Sequence, residues 1–288
     1  AELCFLAFTA LTVAIIFGGV RHGVERVSKF MMPVLVVLSV IITIFSVTRP
    51  GALEGVKYFL IPNFSNFSWM TVVSAMGQMF YSLSIAMGIL ITFGSYMKKN
   101  VSIEKSTENV EIFDTGIAIM AGLMIIPAVF AFSGGDTENL KAGPSLMFIT
   151  IPKVFADMSM GGFVGILFFL LVLCAALTSS IALTESAVST FQDELGWGRK
   201  KSTLIITGIM VLLGTLSSLG YGPLGSVQIL GMQFLDFFDF LTNSVMMPIA
   251  AIATCLLVSR VIGVEKIESE VTEGGHPFRR KAVFQFMI

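Results

Sequence analysis

Two apolar segments of the sequence carry hydroxyl side chains at spacings that suit a small ligand or a cation. In the first, residues 70–97, Ser82 and Ser84 are two positions apart and would face different ways on an intact helix. If the helix breaks there, hydroxyl groups and freed backbone carbonyls can converge on one ligand. The alternative is close helix packing through small residues, and the spacing alone leaves both interpretations open.

The second set of oxygens lies in the segment 160–192. Ala175, Thr178 and Ser179 stand at i, i+3 and i+4, so they share one helical face. One backbone carbonyl and two hydroxyls offer three neutral oxygens, which are the ligands that a hard cation prefers. The alternative is that the hydroxyls only bond back to their own helix.

Acidic residues inside apolar segments are a further signal, because a carboxylate at the bilayer centre costs roughly 2.5–3.5 kcal/mol. The candidates are Asp114, Glu185, Asp236 and Asp239. Asp114 opens the segment 112–133, and a helix N-cap is the alternative to a functional role for it. Asp236 and Asp239 share a face near the outer end of their segment, and solvation at the interface is their simplest explanation.

The elements that must position these residues are helices in lipid. Of the 288 residues 55% are hydrophobic and only 13% are charged, against about 25% charged in soluble domains. The net charge of −1 and the lack of a basic stripe argue against nucleic-acid binding. We therefore predict an all-α integral membrane protein whose surroundings are a lipid bilayer. Seven apolar segments are long enough, or nearly so, to span it: 3–20, 30–48, 70–97, 112–133, 160–192, 202–220 and 228–262.

The basic residues indicate the sidedness of these helices. Most of the 18 lie in alternate connections and after the last span, which places those connections in the cytoplasm. Residues 133–159 then lie outside, and their short apolar run predicts an extracellular capping loop. The sequence begins inside an apolar run, and residues 282–288 look like the start of another helix, so we interpret it as a fragment.

Several motifs together resemble the neurotransmitter:sodium symporter family of the bacterial leucine-transporter type. They extend over essentially the whole sequence and are specific in combination. They are Gly19-Val-Arg-His-Gly-Val-Glu-Arg26 with Met31-Met-Pro33, Gln78-Met-Phe-Tyr-Ser-Leu-Ser84 with Met87-Gly88, Thr92-Phe-Gly-Ser-Tyr96, Ile126-Pro-Ala-Val-Phe130, Gly143-Pro144, and Leu177-Thr-Ser-Ser-Ile181 with Asp193-Glu-Leu195.

The resemblance implies an inverted-repeat sodium symporter fold, here family helices 4 to 10 and the start of 11, with helices 1–3 absent. It implies sodium ions as coupling ions, an amino acid as substrate, no enzymatic activity, and a place in the bacterial inner membrane. Independence from chloride is expected because Asp114 stands where many relatives have asparagine. A proton-coupled transporter of the same fold, or less simply an ion channel, are the alternatives.

Ala86 departs from the glycine that is common in the family, which should narrow the pocket for the substrate side chain.

The site residues implied by the resemblance fall into three groups. The substrate wall comprises Tyr81, Ser82, Ser84, Ile85, Met87, Gly88, Ser179, Ser180 and Leu183. The sodium ligands are Ala175, Thr178 and Ser179 in one site and Ser82 and Asp114 in another. The gate and anion positions are Gln78, Asp239 and Asp114.

Overall fold

The computed structural model describes residues 2–133, 146–156, 160–273 and 275–287. Within these ranges the regular structure is helical, apart from one isolated bridge between Ile229 and Met232. Helices satisfy their backbone groups internally, as lipid requires, so the all-α prediction is confirmed for this part of the chain. The helices are α1 Glu2–Phe17, α2 Arg26–Val47, α3 Ala52–Leu60, α4 Trp69–Ser82, α5 Ile89–Ser95, α6 Ile103–Ser133, α7 Ile151–Ala156, α8 Gly161–Leu195, α9 Arg199–Gly220, α10 Phe234–Asp239, α11 Met247–Leu257, α12 Val264–Val271 and α13 Lys281–Met287.

Five continuous helical stretches of the described residues are long and apolar enough to cross a membrane. Wider π-helical turns extend two of these stretches: Val20–Glu25 leads into α2, and Phe240–Met246 and Val258–Ile262 flank α11. The last stretch begins at Phe234 rather than at residue 228, because the chain around the Ile229–Met232 bridge turns. The five stretches are Val20–Val47, Ile103–Ser133, Gly161–Leu195, Arg199–Gly220 and Phe234–Ile262.

The predicted span 70–97 is not one helix. It consists of α4, with 14 residues, and α5, with 7, separated by residues 83–88. At 1.5 Å per residue these helices measure about 21 Å and about 10 Å. Neither alone reaches across a hydrocarbon core of about 30 Å.

Helix α6 begins at Ile103, nine residues before the predicted start. The added turns carry Glu104, Glu108 and Glu111. This end of the helix is bonded to the residues just before α13. The Glu104 carboxylate accepts the backbone N–H groups of Arg279 and Arg280 at 3.0 Å each. The Arg280 side chain donates to both oxygens of Glu111, at 3.1 and 2.9 Å. The charged first turns are therefore an integral part of the helix.

The chain divides into two compact units. The unit formed by Arg26–Val73 and Ile112–Thr178 holds a continuous apolar core from α2, α6, α7 and the first half of α8. The short helix α3 lies against α6 in this unit. An added Cβ at Gly55 would come within 2.7 Å of the Pro127 Cα, so only a glycine permits this approach.

The other unit comprises Ala1–Glu25, Ser74–Glu111 and Ser179–Ile288. Within it α1 packs along α9, where the Phe5 ring fills the space that a side chain at Gly214 would occupy. The buried Thr12 hydroxyl lies 3.2 Å from that of Ser180, which links α1 to α8. Every residue of the predicted substrate wall belongs to this unit.

The predicted outer connection 133–159 is described only in part. Residues 146–156 form a π-helical turn and the short helix α7. The Gly143-Pro144 motif and residues 157–159 lie outside the described residues.

Candidate functional site

The interruption between α4 and α5 is the structural centre of the candidate site. After Ser82 the helical pattern gives way to turn bonds, in which Ser84 N–H bonds the Tyr81 carbonyl at 3.1 Å and Ile85 N–H that of Phe80 at 2.9 Å. Ser84 has φ 55°, Ala86 φ 62° and Gly88 φ 76°, all in the left-handed region. The helix break on which the convergence of oxygens depends is therefore present.

Two of these left-handed residues are not glycine. A non-glycine residue in this conformation costs roughly 1–2 kcal/mol, so Ser84 and Ala86 store backbone strain that the surrounding contacts must hold. Strain of this kind clusters at ligand sites and switch regions. The break is thus maintained against the intrinsic preference of the chain.

The predicted substrate wall joins this break to one stretch of α8. Tyr81, Ser82, Ser84, Ile85, Met87 and Gly88 lie in or beside the break. The last of them, Gly88, adjoins Ser186, three residues beyond Leu183 in α8. Tyr81 and Leu183 are 52% and 50% exposed. Ser180 points its hydroxyl at Thr12, a partner that the sequence did not suggest. The binding roles of these residues stay predictions.

The predicted cation face lies on a continuous part of α8, so Ala175, Thr178 and Ser179 share one face as expected. The Thr178 hydroxyl donates to the carbonyls of Cys174 and Ala175, at 3.1 and 3.0 Å. The anticipated back-bonding is therefore present. It uses the hydroxyl proton and leaves oxygen lone pairs, so it is compatible with cation binding, which stays a prediction.

Asp114 does not open a helix. It lies in the interior of α6, eleven residues after Ile103. The expectation that it opens the segment, and the alternative that it caps the helix N-terminus, are both wrong. The reason is that the acidic residues 104–111 lower the hydropathy of turns that are nevertheless helical. Asp114 is partly buried and has an interaction partner in the structure.

The two remaining gate positions lie on α10 and α4. Asp239 ends α10, at the point where the helix widens into the π-helical turn Phe240–Met246. Its carboxylate accepts a 2.6 Å hydrogen bond from the Asn243 amide, one turn further on. Gln78 is exposed on α4, one turn before Ser82. Single-turn π-helical insertions are frequent at functional sites, which is compatible with the gate assignment of Asp239.

A polar network in α8 was not foreseen from the sequence. The Glu185 carboxylate is fully buried and pairs with Arg199, whose guanidinium nitrogens lie 3.0 and 2.6 Å from its two oxygens. The Tyr96 hydroxyl donates to the same carboxylate at 3.0 Å. Arg199 also donates to the Ile16 carbonyl at 2.9 and 3.2 Å. The Glu185–Arg199 pair thus ties together α8, α9, the end of α5 and the end of α1.

A sequence signal for this network exists in retrospect. A lone glutamate in an apolar helix needs a cation, and Arg199 is the next basic residue along the chain. Its position directly before an apolar segment made it look like an ordinary cytoplasmic charge. Only the folded structure shows that its side chain turns inward, with 25% of the side chain still exposed.

Comparison with known proteins connects this geometry to a family. The model of the sodium:neurotransmitter symporter family matches residues 2–288. The uncharacterized sodium-dependent transporter YhdH of Bacillus subtilis (strain 168) is 34% identical over 271 residues, which are 94% of this chain and 59% of the relative. An uncharacterized sodium-dependent transporter of Haemophilus influenzae is 34% identical over 258 residues, which are 89% of this chain and 56% of the relative. The chain thus spans less than two thirds of the length of these relatives.

A solved structure shares the fold. The crystal structure of MhsT in complex with L-phenylalanine has a TM-score of 0.81 and 33% sequence identity to this chain, and the match covers 98% of this chain and 66% of that one. The helical architecture and the family match agree. This chain belongs to the sodium:neurotransmitter symporter family.

Proposed function

We propose that the complete transporter imports an amino acid together with sodium by alternating access, without a need for chloride, in the bacterial inner membrane. The observation that carries the proposal is the helix break at residues 83–88. The C-terminal end of α4 directs the negative end of a helix dipole into the break, where a cation or an ammonium group is favoured. The backbone near the break supplies oxygens that an unbroken helix would use internally.

Two features support the choice of solutes. The related MhsT was solved with L-phenylalanine, which favours an amino acid as the substrate of this chain. The relatives are called sodium-dependent transporters, which favours sodium as the coupling ion. Neutral oxygens of α8 at Ala175, Thr178 and Ser179 match the coordination that such an ion accepts. Sodium and substrate carboxylate would then each lower the cost of dehydrating the other.

Uptake of labelled amino acids into proteoliposomes that contain the complete transporter tests this function. A sodium gradient should drive accumulation, and an equal potassium gradient should not. Accumulation driven by a proton gradient without sodium would favour the proton-coupled alternative. Sodium flux that requires no amino acid and accumulates none would favour a channel.

The cation site on α8 has its own prediction. Thr178→Val together with Ser179→Ala should raise the sodium concentration for half-maximal uptake by about thirtyfold, since losing each of the two oxygens costs on the order of 1 kcal/mol. Thr254→Val is the matched control, because it removes a similarly back-bonded hydroxyl from an exposed face of α11. An unchanged sodium dependence in the folded double variant would refute the cation site.

The strain at Ala86 gives a second prediction. Ala86→Gly removes a left-handed non-glycine residue and should raise the free energy of unfolding by about 1 kcal/mol. Ala253→Gly, on an exposed helical turn of α11, should lower it by about the same amount. Competition assays should also show that bulky amino acids bind Ala86→Gly more tightly than wild type, because the lost methyl widens the pocket. A lower stability for Ala86→Gly would contradict the left-handed assignment.

A further inference from the structure

Ser186 occupies a defined place against the first turn of α5. Its side chain is buried on α8, and the Thr92 hydroxyl donates to its oxygen at 3.3 Å. The same oxygen would lie 2.9 Å from a Cβ added to Gly88. Gly88 and Thr92 are one helical turn apart and joined by the bond from Thr92 N–H to the Gly88 carbonyl, at 2.9 Å. One serine oxygen therefore touches both ends of that turn.

This turn is where the interrupted segment becomes helical again. Gly88 precedes Ile89, the first residue of α5, and has φ 76°. A side chain at this position would be strained by the backbone angle and obstructed by Ser186. Gly88 is also the last residue that the interrupted segment contributes to the predicted substrate wall, whereas Ser186 itself lies outside that wall.

We propose that Ser186 is a positioning residue: it fixes the end of the interrupted segment against α8 and thereby sets the substrate affinity without touching the substrate. This role rests on the proposed function. The serine oxygen accepts the hydrogen bond from the Thr92 hydroxyl, and the small side chain leaves room for the Gly88 backbone. A change at Ser186 displaces residues 84–88 relative to the α8 wall residues Ser179 and Leu183. It therefore changes the substrate affinity more than the maximal transport rate.

Ser186→Ala isolates the hydrogen bond, since it removes the oxygen and keeps the space. The substrate concentration for half-maximal uptake should rise about fivefold, while the maximal rate per transporter stays within about twofold. Thr92→Val should have a similar effect, and the double variant should be no worse than either single one, because both remove the same bond. Ser202→Ala is the control. This serine is also buried, on α9, but its hydroxyl has no hydrogen-bond partner among the described residues, so uptake should not change.

A second cycle tests the steric contact. Gly88→Ala should raise the half-saturating substrate concentration by tenfold or more. Adding Ser186→Ala should lower that concentration again by at least threefold, because it removes the obstructing oxygen. The remaining loss reflects the left-handed backbone at residue 88. If Gly88→Ala does not reach the membrane, the Thr92→Val cycle decides alone.

The outcomes separate the two proposals. Additive effects in both cycles, or a change confined to the maximal rate, would overturn the positioning role. The proposed transport function would still stand if the wild type shows sodium-driven uptake. Absence of sodium-driven amino-acid uptake by the wild type would instead overturn the proposed function, and the positioning role with it.

Discussion

Replacing Arg199 by methionine is expected to lower the free energy of unfolding by about 3 kcal/mol. The substitution leaves the Glu185 carboxylate, which is fully buried, without its cation. Removing one partner of a buried pair typically costs roughly 3–5 kcal/mol, and the partial exposure of Arg199 argues for the lower end. The Ile16 carbonyl loses its donor in the same step. Unfolding of the purified protein in detergent measures the change.

Two further variants identify the ion pair as the cause. Glu185→Gln combined with Arg199→Met removes both charges and should recover part of the lost stability, because no unpaired buried charge remains. Lys200→Met changes the same formal charge at an exposed neighbouring position and should alter stability by no more than about 0.5 kcal/mol. Equal losses for Arg199→Met and Lys200→Met would contradict the inward ion pair.

Asp114→Asn is expected to make transport depend on chloride. Wild-type uptake should be the same in chloride and in gluconate. In gluconate the uptake rate of the variant should fall by a factor of about ten or more, and chloride should restore part of it. An ionised carboxylate near a bound sodium contributes on the order of 4 kcal/mol if the charges are 4 Å apart at an effective dielectric constant of 20. Asparagine keeps the shape and removes that charge.

Glu108→Gln supplies the control for Asp114→Asn. It makes the same change of carboxylate to amide on the same helix, at a partly exposed turn beside Arg280. It should transport normally in both anions. Normal transport by Asp114→Asn in gluconate would show that the carboxylate does not balance the sodium charge, and helix capping would not explain its presence either, since it lies in the helix interior.

The sequence predicted that a helix could be interrupted, but it did not predict the backbone conformation of the interruption. Serines and glycines in an apolar run marked a potential break between residues 70 and 97, and the structure has it at 83–88. The left-handed angles at Ser84 and Ala86 were not predictable, because neither residue type favours φ > 0. Gly88, at the end of the same segment, lies against Ser186 of α8, about a hundred residues later in the chain.

The start of α6 shows why hydropathy misplaces helix ends. Residues 103–111 carry several charges, so an apolar criterion begins the span at 112. The turns are helical because their charges have specific partners: Glu104 binds backbone amides, and Glu111 binds Arg280, some 170 residues away in sequence. The same limit applies to Glu185 and Ser180, whose partners Arg199 and Thr12 come from other helices. Spacing along one segment contains no information about such pairs.

Synthesis from the N-terminus brings residues 69–95 to the membrane before α8 exists. Ser186, which lies against Gly88 and Thr92, and Glu185, whose carboxylate binds Tyr96, both belong to α8. Backbone groups without partners cost several kcal/mol each in hydrocarbon, which favours a continuous helix in the nascent chain. We therefore expect residues 83–88 to take up their interrupted form only after α8 has inserted beside them.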